Sequence, residues 1–290
     1  MPASRARPCP ACLVSESRTR GDVAGYAMEE CHVCGTLFTD QLPEATDYAG
    51  YYHPGNLEVP GFVHAQLDRV AASFGERRNL NRWLDVGCGA GSLMAAARRQ
   101  GWEVTGTEVA AGAADAVRAQ GFEVEFGELE ALDLPEEGFD VVSIIEVIEH
   151  VPDPRQMLRT AERLLRKGGA LHLTTPHGRG ISARLLGTRW SVVSPPEHLH
   201  LFSATGLQIA VDDARLRVCT LDTHAVNPNE LLQALRLRGP RVQPGARVES
   251  SYRLNESLSS NRAGTLLKRA ANATLAATRL GDSLKLVAER

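Results

Sequence analysis

The sequence lacks the features that mark several protein classes. Its longer apolar stretches, such as residues 141–145, are too short to cross a bilayer, and no N-terminal apolar run resembles a signal peptide. Neither sign of charge dominates, because 32 Lys and Arg residues face 35 Asp and Glu residues for a net charge of -3. Such a balance favours a small-molecule partner over a nucleic acid or a membrane. We therefore expect a cytoplasmic protein whose 290 residues form one main core and a small appendage.

Cysteine is scarce, yet four of the six cysteines are clustered near the N-terminus. Cys9, Cys12, Cys31 and Cys34 follow the spacing C-x2-C-x18-C-x2-C, which is typical of a zinc site with four thiolate ligands. In a reducing compartment, clustered cysteines indicate metal ligands rather than disulfides. Four thiolates fill the tetrahedral positions of Zn²⁺ and leave no place for a substrate. The spacing therefore predicts a structural zinc ribbon over residues 1–39.

The most informative segment runs from Leu84 to Gly91, an apolar stretch that ends in Gly87, Gly89 and Gly91. Glycine accepts a positive φ and lets a ligand approach the main chain, so this pattern predicts a turn that binds a nucleoside cofactor. A dinucleotide fingerprint would have a further glycine where Ser92 stands. The pattern therefore favours a nucleoside other than a dinucleotide.

Acidic residues around this turn indicate which nucleoside it binds. Asp85 precedes the turn, where a carboxylate would repel a pyrophosphate but suits a sulfonium cation that carries an α-amino group. Glu108 ends the next predicted strand, 21 residues after Gly87, at the spacing of an acid that accepts hydrogen bonds from both ribose hydroxyls. Together the turn and the two acids predict S-adenosylmethionine as the cofactor.

At this point the chain resembles the class I (Rossmann-like) S-adenosylmethionine-dependent methyltransferases over roughly residues 80–290. The family's motifs correspond, in order, to residues 84–91, Glu108, residues 127–129, residues 139–151 and residues 167–176. The resemblance implies an α/β fold with a doubly wound, seven-stranded, mostly parallel sheet, here joined to a small N-terminal zinc ribbon. It also implies that the cofactor is bound by Asp85, Gly87, Gly89, Gly91, Glu108, Glu128, Leu129, Glu146 and His150.

Short apolar strand patterns alternate with amphipathic helix patterns, which predicts a mostly parallel sheet covered on both faces. We predict a helical connector or lid at residues 40–80 and the cofactor-binding domain at residues 81–290. Local signals predict helices at 61–75, 91–100, 110–120 and from the cap Asp153 to Gly168, and a last, antiparallel strand at 283–288. An insertion at about residues 225–282 would cap the active site or form the contact of a homodimer.

Residues 195–203 follow the predicted strand at 167–176, on the side where open α/β sheets bind ligands. This segment resembles the Glu-His-Leu element before a Phe-Ser helix cap in zinc-ribbon deoxysugar C-methyltransferases. It is similar, too, to a His-Leu-His-Phe-Ser variant in small-molecule O-methyltransferases. The resemblance implies that His198 is a general base and Glu197 its partner. His200 is a second candidate for the base, because side chains two residues apart in an extended backbone point to the same side.

Tyr48, Tyr51 and Tyr52 are three of the five tyrosines in the chain, and they follow directly after the predicted ribbon. Aromatic rings with a polar tip suit a lid over a nucleoside or a sugar ring. They also suit a hydrophobic hinge that packs the ribbon on the main domain. The sequence leaves both interpretations open.

The leading hypothesis is methyl transfer to an oxygen or carbon of a small molecule, namely a sugar, a glycan or a specialised metabolite. An alternative is an RNA base methyltransferase whose ribbon grips RNA through Arg5, Arg7, Arg18 and Arg20. The net negative charge argues against it, as does the sequence at residues 146–148, where an Asn-Pro-Pro-aromatic motif would hold a base nitrogen. A third hypothesis is a non-catalytic cofactor-binding module, which the intact glycines and Glu108 disfavour.

Overall fold

The computed structural model describes residues 7–43, 61–226, 230, 273–275 and 277–290, and they form two β-sheets. The smaller sheet contains β1 (Ser17–Val23), β2 (Tyr26–Cys31), β3 (Leu37–Thr39) and β9 (His200–Leu201). The larger sheet contains β4 (Arg82–Val86), β5 (Glu103–Glu108), β6 (Glu123–Phe126), β7 (Phe139–Ile145), β8 (Leu165–Pro176), β10 (Arg217–His224) and β11 (Ser283–Glu289).

The larger sheet has the strand order β10-β11-β8-β7-β4-β5-β6, and every strand except β11 runs parallel. β11 lies between β8 and β10 and is antiparallel to both. The helices are α1 (Gly61–Ser73), α2 (Ser92–Arg99), α3 (Ala111–Arg118), α4 (Pro154–Leu164), α5 (Ile181–Leu186) and α6 (Ala204–Asp213). The predicted seven-stranded, mostly parallel α/β sheet is therefore confirmed, including its antiparallel last strand.

The central strands are apolar on both faces because helices cover each side of the sheet. In β4, Trp83 belongs to the buried cluster under α1 and α2, whereas Leu84 belongs to the cluster under α4 and α6. Val141 and Val142 of β7 divide between the two faces in the same way. This packing holds the carboxyl ends of β4, β5 and β7 at one rigid edge of the sheet.

Side-chain caps mark the starts of two helices, one of them at the predicted cap Asp153. Asp153 accepts hydrogen bonds from the backbone N–H groups of Arg155 (3.1 Å) and Gln156 (3.0 Å) at the start of α4. Ser203 accepts one from the N–H of Gly206 (2.8 Å) at the start of α6. Each cap satisfies donors that have no partner within the helix. Both helices therefore begin at defined positions next to the loops that follow β7 and β9.

The predicted end of the helix after Asp153 is wrong. α4 ends at Leu164 and β8 begins at the next residue, so Gly168 lies inside a strand and is not a helix cap. Gly168 has a φ of +75°, and its N–H donates to the carbonyl of Arg290 (3.0 Å). A glycine in a left-handed conformation serves helix ends and strand bends alike, which is why the sequence suggested the wrong one.

The ribbon sheet includes a strand from the main domain. β1, β2 and β3 pair antiparallel in succession, and β3 then pairs antiparallel with β9, which places Phe38 opposite His200. Three of the clustered cysteines, Cys9, Cys31 and Cys34, share one buried apolar cluster with Phe202. The N-terminal segment is thus joined by its sheet and by its core to the segment that carries the predicted base.

Some predictions fall outside the described residues. Tyr48, Tyr51 and Tyr52 lie there, and so does most of the predicted insertion at 225–282 with its homodimer contact. Among the residues that the structure does describe, none of the helices combines the length and the apolar character of a transmembrane span.

Candidate cofactor cleft and acceptor site

The four N-terminal cysteines converge as their spacing predicts. The sulfur atoms of Cys9 and Cys34 are 3.6 Å apart, those of Cys12 and Cys31 are 3.5 Å apart, and all four lie within 4.8 Å of one another. Sulfurs bound at about 2.3 Å to a tetrahedral Zn²⁺ would be about 3.8 Å apart. Cys9 and Cys12 lie on one tight turn and Cys31 and Cys34 on another, and each turn is closed by a backbone hydrogen bond, of 2.8 Å to the carbonyl of Cys9 and of 2.9 Å to the carbonyl of Cys31. The group therefore has the dimensions and the ligand type of a closed four-thiolate zinc site.

The glycine-rich turn after β4 has a left-handed backbone at each predicted glycine. Gly87, Gly89 and Gly91 have φ values of +64°, +52° and +73°. A Cβ atom on Gly87 would lie 2.6 Å from a methyl group of Val147, and one on Gly91 would lie 3.0 Å from a methyl group of Val117. A Cβ on Gly89 would meet open space. Two of the glycines are therefore required by packing, and Gly89 keeps the main chain open to a ligand.

Glu108 joins the end of β5 to this turn. One carboxylate oxygen accepts from the N–H groups of Val109 (2.8 Å) and Ala110 (2.9 Å), and the other accepts from the N–H of Gly89 (3.0 Å). A carboxylate offers about four lone-pair positions, so these bonds leave room on Oε2 for one further donor. Glu108 also borders the adjoining cleft. It is thus positioned to accept a hydrogen bond from a ligand hydroxyl.

Asp85, predicted to face the cation of the cofactor, lies beneath the turn. It is 3% exposed and accepts a hydrogen bond of 2.6 Å from the hydroxyl of Ser143. The indole N–H of Trp83 donates to the same hydroxyl at 2.8 Å, which leaves the hydroxyl proton for Asp85. Burial raises the pKa of Asp85 to about 7. The wall of the cleft above it is formed instead by Val86 and Gly87.

A cleft of about 440 Å³ opens at the carboxyl edge of the larger sheet. Its lining comes from the ends of β4, β5, β6 and β7, from the start of α4 and from Glu197. Six of the nine predicted cofactor residues line it together: Gly87, Glu108, Glu128, Leu129, Glu146 and His150. The ends of β5 and β6 lie on one side of β4 and the end of β7 lies on the other. The cleft therefore crosses the point where the strand order reverses, the usual ligand site of such sheets.

The lining of the cleft is acidic. Its charged side chains are the carboxylates of Glu108, Glu128, Glu130, Glu146, Asp153 and Glu197, and no Lys or Arg of the described residues contributes to it. The carboxylate of Glu146 accepts a hydrogen bond of 2.8 Å from the hydroxyl of Thr174. Such a surface suits a cationic ligand and repels phosphate groups.

Two imidazole rings meet on the β7 side of the cleft. The centroids of His150 and His198 are 4.7 Å apart. Nδ1 of His150 lies 2.8 Å from the carbonyl oxygen of Glu197, and Nδ1 of His198 lies 2.6 Å from that of Val192. A carbonyl only accepts, so Nδ1 carries the proton in both rings and the lone pair of each neutral ring is on Nε2. Burial lowers the pKa of His150, which favours its neutral form.

Glu149 is a member of this group that the sequence analysis did not single out. Its carboxyl group is buried, accepts a hydrogen bond from the hydroxyl of Thr175 (2.9 Å) and has Oε1 3.9 Å from Nε2 of His150. Burial raises the pKa of Glu149 well above its usual range and favours the protonated acid. The sequence feature that could have indicated Glu149 is its position next to His150, just after an apolar strand.

The predicted role of His200 as a second base does not fit its position. His200 is fully buried, and its Nε2–H donates to the carbonyl of Ile148 (2.8 Å). Pairing of β9 with β3 turns this side chain into the joint between the two sheets and away from the cleft. Burial also holds the pKa of His200 well below its usual range, so the ring stays neutral. His200 therefore secures the loop that carries His198.

The predicted pairing of Glu197 with His198 also needs correction. Nδ1 of His198 is held by the carbonyl of Val192 and lies 3.2 Å from the hydroxyl of Ser194. Glu197 offers its backbone carbonyl to His150, while its side chain lines the cleft. Backbone carbonyls of the 192–198 loop, those of Glu197 and Val192, accept hydrogen bonds from the two imidazoles.

Comparisons with known proteins agree with this geometry. A family profile described as a methyltransferase domain matches residues 58–221, more than half of the chain. The ubiquinone biosynthesis O-methyltransferase of Pseudomonas syringae pv. tomato is 40% identical over 111 residues, covering 34% of this chain and 47% of that protein. The corresponding protein of Paracidovorax citrulli is 30% identical over 172 residues, covering 54% of this chain and 71% of that protein.

The chain spans about half the length of several of these curated relatives. Among solved structures, the geranyl diphosphate C-methyltransferase of Streptomyces coelicolor A3(2) is similar in fold, with a TM-score of 0.55 and 19% identity over 86% of this chain and 85% of that one. The profile match and the Paracidovorax relative show the family that the fold suggested. The chain belongs to the methyltransferase-domain family.

Proposed function

We propose that this protein is an S-adenosylmethionine-dependent methyltransferase that acts on a small molecule. The observation that carries the proposal is a single cleft bordered on one side by Glu108 and the 127–129 loop and on the other by His150, with His198 beside it. When bound, the cofactor supplies an electrophilic methyl group. The acidic lining supports binding of a sulfonium cation, and the open main chain at Gly89 supports close approach of the ligand.

In this proposal, different residues of the chain bind different parts of the cofactor. Glu108 accepts from a ribose hydroxyl with the lone pair that its three backbone partners leave available. Glu128 and Leu129 border the adenine, as the family resemblance implies. Gly87 and Gly91 keep the turn compact, and buried Asp85 adds a carboxylate below it. The site thus holds the reacting carbon in place, which is the larger part of catalysis for a direct displacement.

We assign the general base to His198. Nε2 of His150 lies 3.9 Å from a carboxyl oxygen of Glu149. The hydrogen bond from Nδ1–H of His198 to Val192 places the lone pair of the neutral His198 ring on Nε2. Nε2 of His198 would take the proton from the acceptor atom, and the carbonyl of Val192, which accepts from Nδ1–H, would stabilise the imidazolium that results. His150 packs against this ring and limits its rotation.

The acceptor is an oxygen or a carbon of a sugar, a glycan or a specialised metabolite. The curated relatives are named O-methyltransferases and a similar fold is named a C-methyltransferase, which supports both kinds of acceptor atom. The RNA hypothesis gains no support from the cleft, whose charged lining in the described residues is made of carboxylates. Phosphate contacts with such a surface would be repulsive.

We further propose that Cys9, Cys12, Cys31 and Cys34 hold one structural Zn²⁺. The distances between their sulfurs support this assignment, and so does the thiol chemistry of the donor set. Four protein ligands complete the coordination shell, so the metal would stabilise the ribbon rather than activate a substrate. Metal analysis of the purified protein tests the assignment, with one zinc per chain as the expected result.

Release of S-adenosylhomocysteine from a panel of hydroxyl-bearing and carbon-acid acceptors tests the enzymatic proposal. Calorimetric titration first establishes binding of S-adenosylmethionine, and the acceptor that gives turnover is then used to compare His198→Gln with His150→Gln. We expect the larger loss of kcat in His198→Gln. Failure of the wild-type protein to bind S-adenosylmethionine would contradict the proposal, and a larger loss in His150→Gln would transfer the role of base to His150.

A further inference from the structure

We propose that the tetracysteine ribbon is a working part of the acceptor site, because its two metal knuckles hold the two chain segments that form the β7 side of the cleft. The first knuckle is residues 9–12 and the second is residues 31–34. The inference rests on the proposed function and adds to it that metal binding sets the position of His198. Arg7 and Ser203 are the positioning residues through which the ribbon acts.

The second knuckle holds the loop of the base. The hydroxyl of Ser203 donates to the carbonyl of Cys34 and so ties the start of α6 to the knuckle. Five residues beyond Cys34, the backbone N–H of Thr39 donates to the carbonyl of Leu199 at 3.0 Å. Leu199 follows His198 directly. The ribbon therefore fixes the main chain on the immediate carboxyl side of the base.

Arg7 adds side-chain hydrogen bonds to the joint between Thr39 of the ribbon and Leu199 of the loop. Its guanidinium donates to the carbonyl of Thr39 (2.8 Å) and to the carbonyl of Leu199 (3.1 Å), one on each side of the joint between the ribbon and the loop. It also lies over the ring of Phe38 with 5.6 Å to the centroid. A planar fork of donors holds two acceptors at a fixed separation, which a single charge could not do.

The first knuckle holds the start of α4. Arg155 is 8% exposed and donates to the carbonyl of Ala11, within the knuckle, at 2.9 Å. Its neighbours Asp153 and Gln156 line the cleft. If the knuckle were lost, a buried N–H of the Arg155 guanidinium would have no acceptor. We expect the start of α4 to shift in response.

The main domain holds the same loop through hydrogen bonds of its own. Leu199 donates its N–H to the carbonyl of Glu149 (2.9 Å), and His200 donates to the carbonyl of Ile148 (2.8 Å). β9 has two residues, and a strand of that length depends on its partner strand for its conformation. By contrast, Glu108 takes its partners from Gly89, Val109 and Ala110, in the loops of the larger sheet. Release of the metal should therefore disturb the loop at residues 198–201 and leave the contacts of Glu108 unchanged.

Hydrogen–deuterium exchange of the full-length chain tests this coupling without reference to activity. It is measured on the zinc-loaded protein, on the same protein after a chelator has removed zinc under reducing conditions, and after zinc has been restored. We expect amides of residues 198–201 to exchange faster without zinc and to recover with it. Amides of β4 and of the glycine turn should not change. Equal exchange of residues 198–201 in the two metal states would overturn the inference.

Arg7→Gln tests the joint between Thr39 and Leu199 without altering the metal site, because it leaves all four cysteines in place. We expect the variant to keep its zinc and its cofactor affinity, to exchange faster at residues 198–201 and to lose up to roughly 10²-fold in kcat, the loss that a misplacement of about 1 Å can cause. Arg163→Gln is the matched control, since it removes the same charge from an exposed ion pair with Glu136. Wild-type kcat and exchange in Arg7→Gln would contradict the inference.

The two proposals fail in different ways. A wild-type protein that binds zinc but not S-adenosylmethionine would contradict the proposed function. A wild-type protein that binds S-adenosylmethionine and transfers methyl groups, while residues 198–201 exchange equally with and without zinc, would contradict the role of the ribbon alone.

Discussion

Replacement of Glu108 by glutamine tests the cofactor site with almost no change in side-chain volume. In the wild type, Oε1 accepts from Val109 and Ala110, and Oε2 accepts from Gly89. Glutamine can satisfy the first two donors with its carbonyl oxygen, but its amide nitrogen donates and cannot accept from Gly89. In the variant, the N–H of Gly89 and the side-chain amide of glutamine are two donors that face each other. The acceptor that we propose for the ribose is also lost.

The structure gives a magnitude for each effect. Leaving the Gly89 N–H without an acceptor should cost about 1–3 kcal/mol in the free energy of unfolding, and each kcal/mol lowers Tm by roughly 2–4 °C in a chain of this size. A hydrogen bond from a ribose hydroxyl to a charged acceptor is worth about 1.5–3 kcal/mol. The affinity for S-adenosylmethionine should therefore fall by roughly 10- to 150-fold.

Calorimetric titration well below the Tm of the variant measures the affinity, and a thermal melt measures the stability. Glu103→Gln is the matched control, because Glu103 is an exposed residue at the opposite end of β5. We expect wild-type affinity and stability in the control. An unchanged affinity in a folded Glu108→Gln protein would refute the assignment of this carboxylate to the cofactor.

The zinc site, the base and two buried histidines each make a further prediction. Cys12→Ser should lose the bound zinc, because three thiolates do not complete the tetrahedron; metal analysis that still finds one zinc per chain would contradict the four-thiolate site. His198→Gln should lower kcat by about 10²- to 10⁴-fold in steady-state assays and leave cofactor affinity unchanged. Burial lowers the pKa of His172 and of His177 from 6.5 to about 4, so the unfolded chain binds more protons between these values. The contribution of these two rings to the free energy of unfolding should therefore fall as the pH falls from 6.5 to about 4, by up to about 1.4 kcal/mol per pH unit for each histidine, while the raised pKa values of Asp85 and Glu149 act in the opposite direction. NMR titration of the two imidazoles in the folded protein measures their pKa values directly, and midpoints near 6.5 would contradict the prediction.

Most of the sheet and its helices could be predicted because their signals are local. The strand predicted to end at Glu108 is β5, and it ends at that residue. The helices predicted at 61–75, 91–100 and 110–120 are present, and their ends differ from the prediction by at most two residues. Such features depend on side chains a few positions apart, since period, caps and glycine conformation are set within one element.

The acceptor side could not be predicted in the same way because its contacts join distant parts of the chain. Thr39 and Leu199 are 160 residues apart, and no local pattern indicates that β3 pairs with β9. That pairing buries His200, which a period of two would place on the same side as His198. One partner of His198 is the backbone carbonyl of Val192, and a carbonyl has no signature in the sequence. The glycine turn was predictable, but the three-way bonding of Glu108 was not.

A crystal structure of the zinc-loaded protein with S-adenosylhomocysteine tests the central claim most directly. We expect the ligand in the cleft at the carboxyl edge of the larger sheet, with a ribose hydroxyl donating to Oε2 of Glu108 and the adenine against the 127–129 loop. The sulfur should face the side of the cleft formed by His150 and the His198 loop. A cleft that stays empty at saturating S-adenosylhomocysteine, or a ligand bound elsewhere on the protein, would contradict the claim that this protein is an S-adenosylmethionine-dependent methyltransferase.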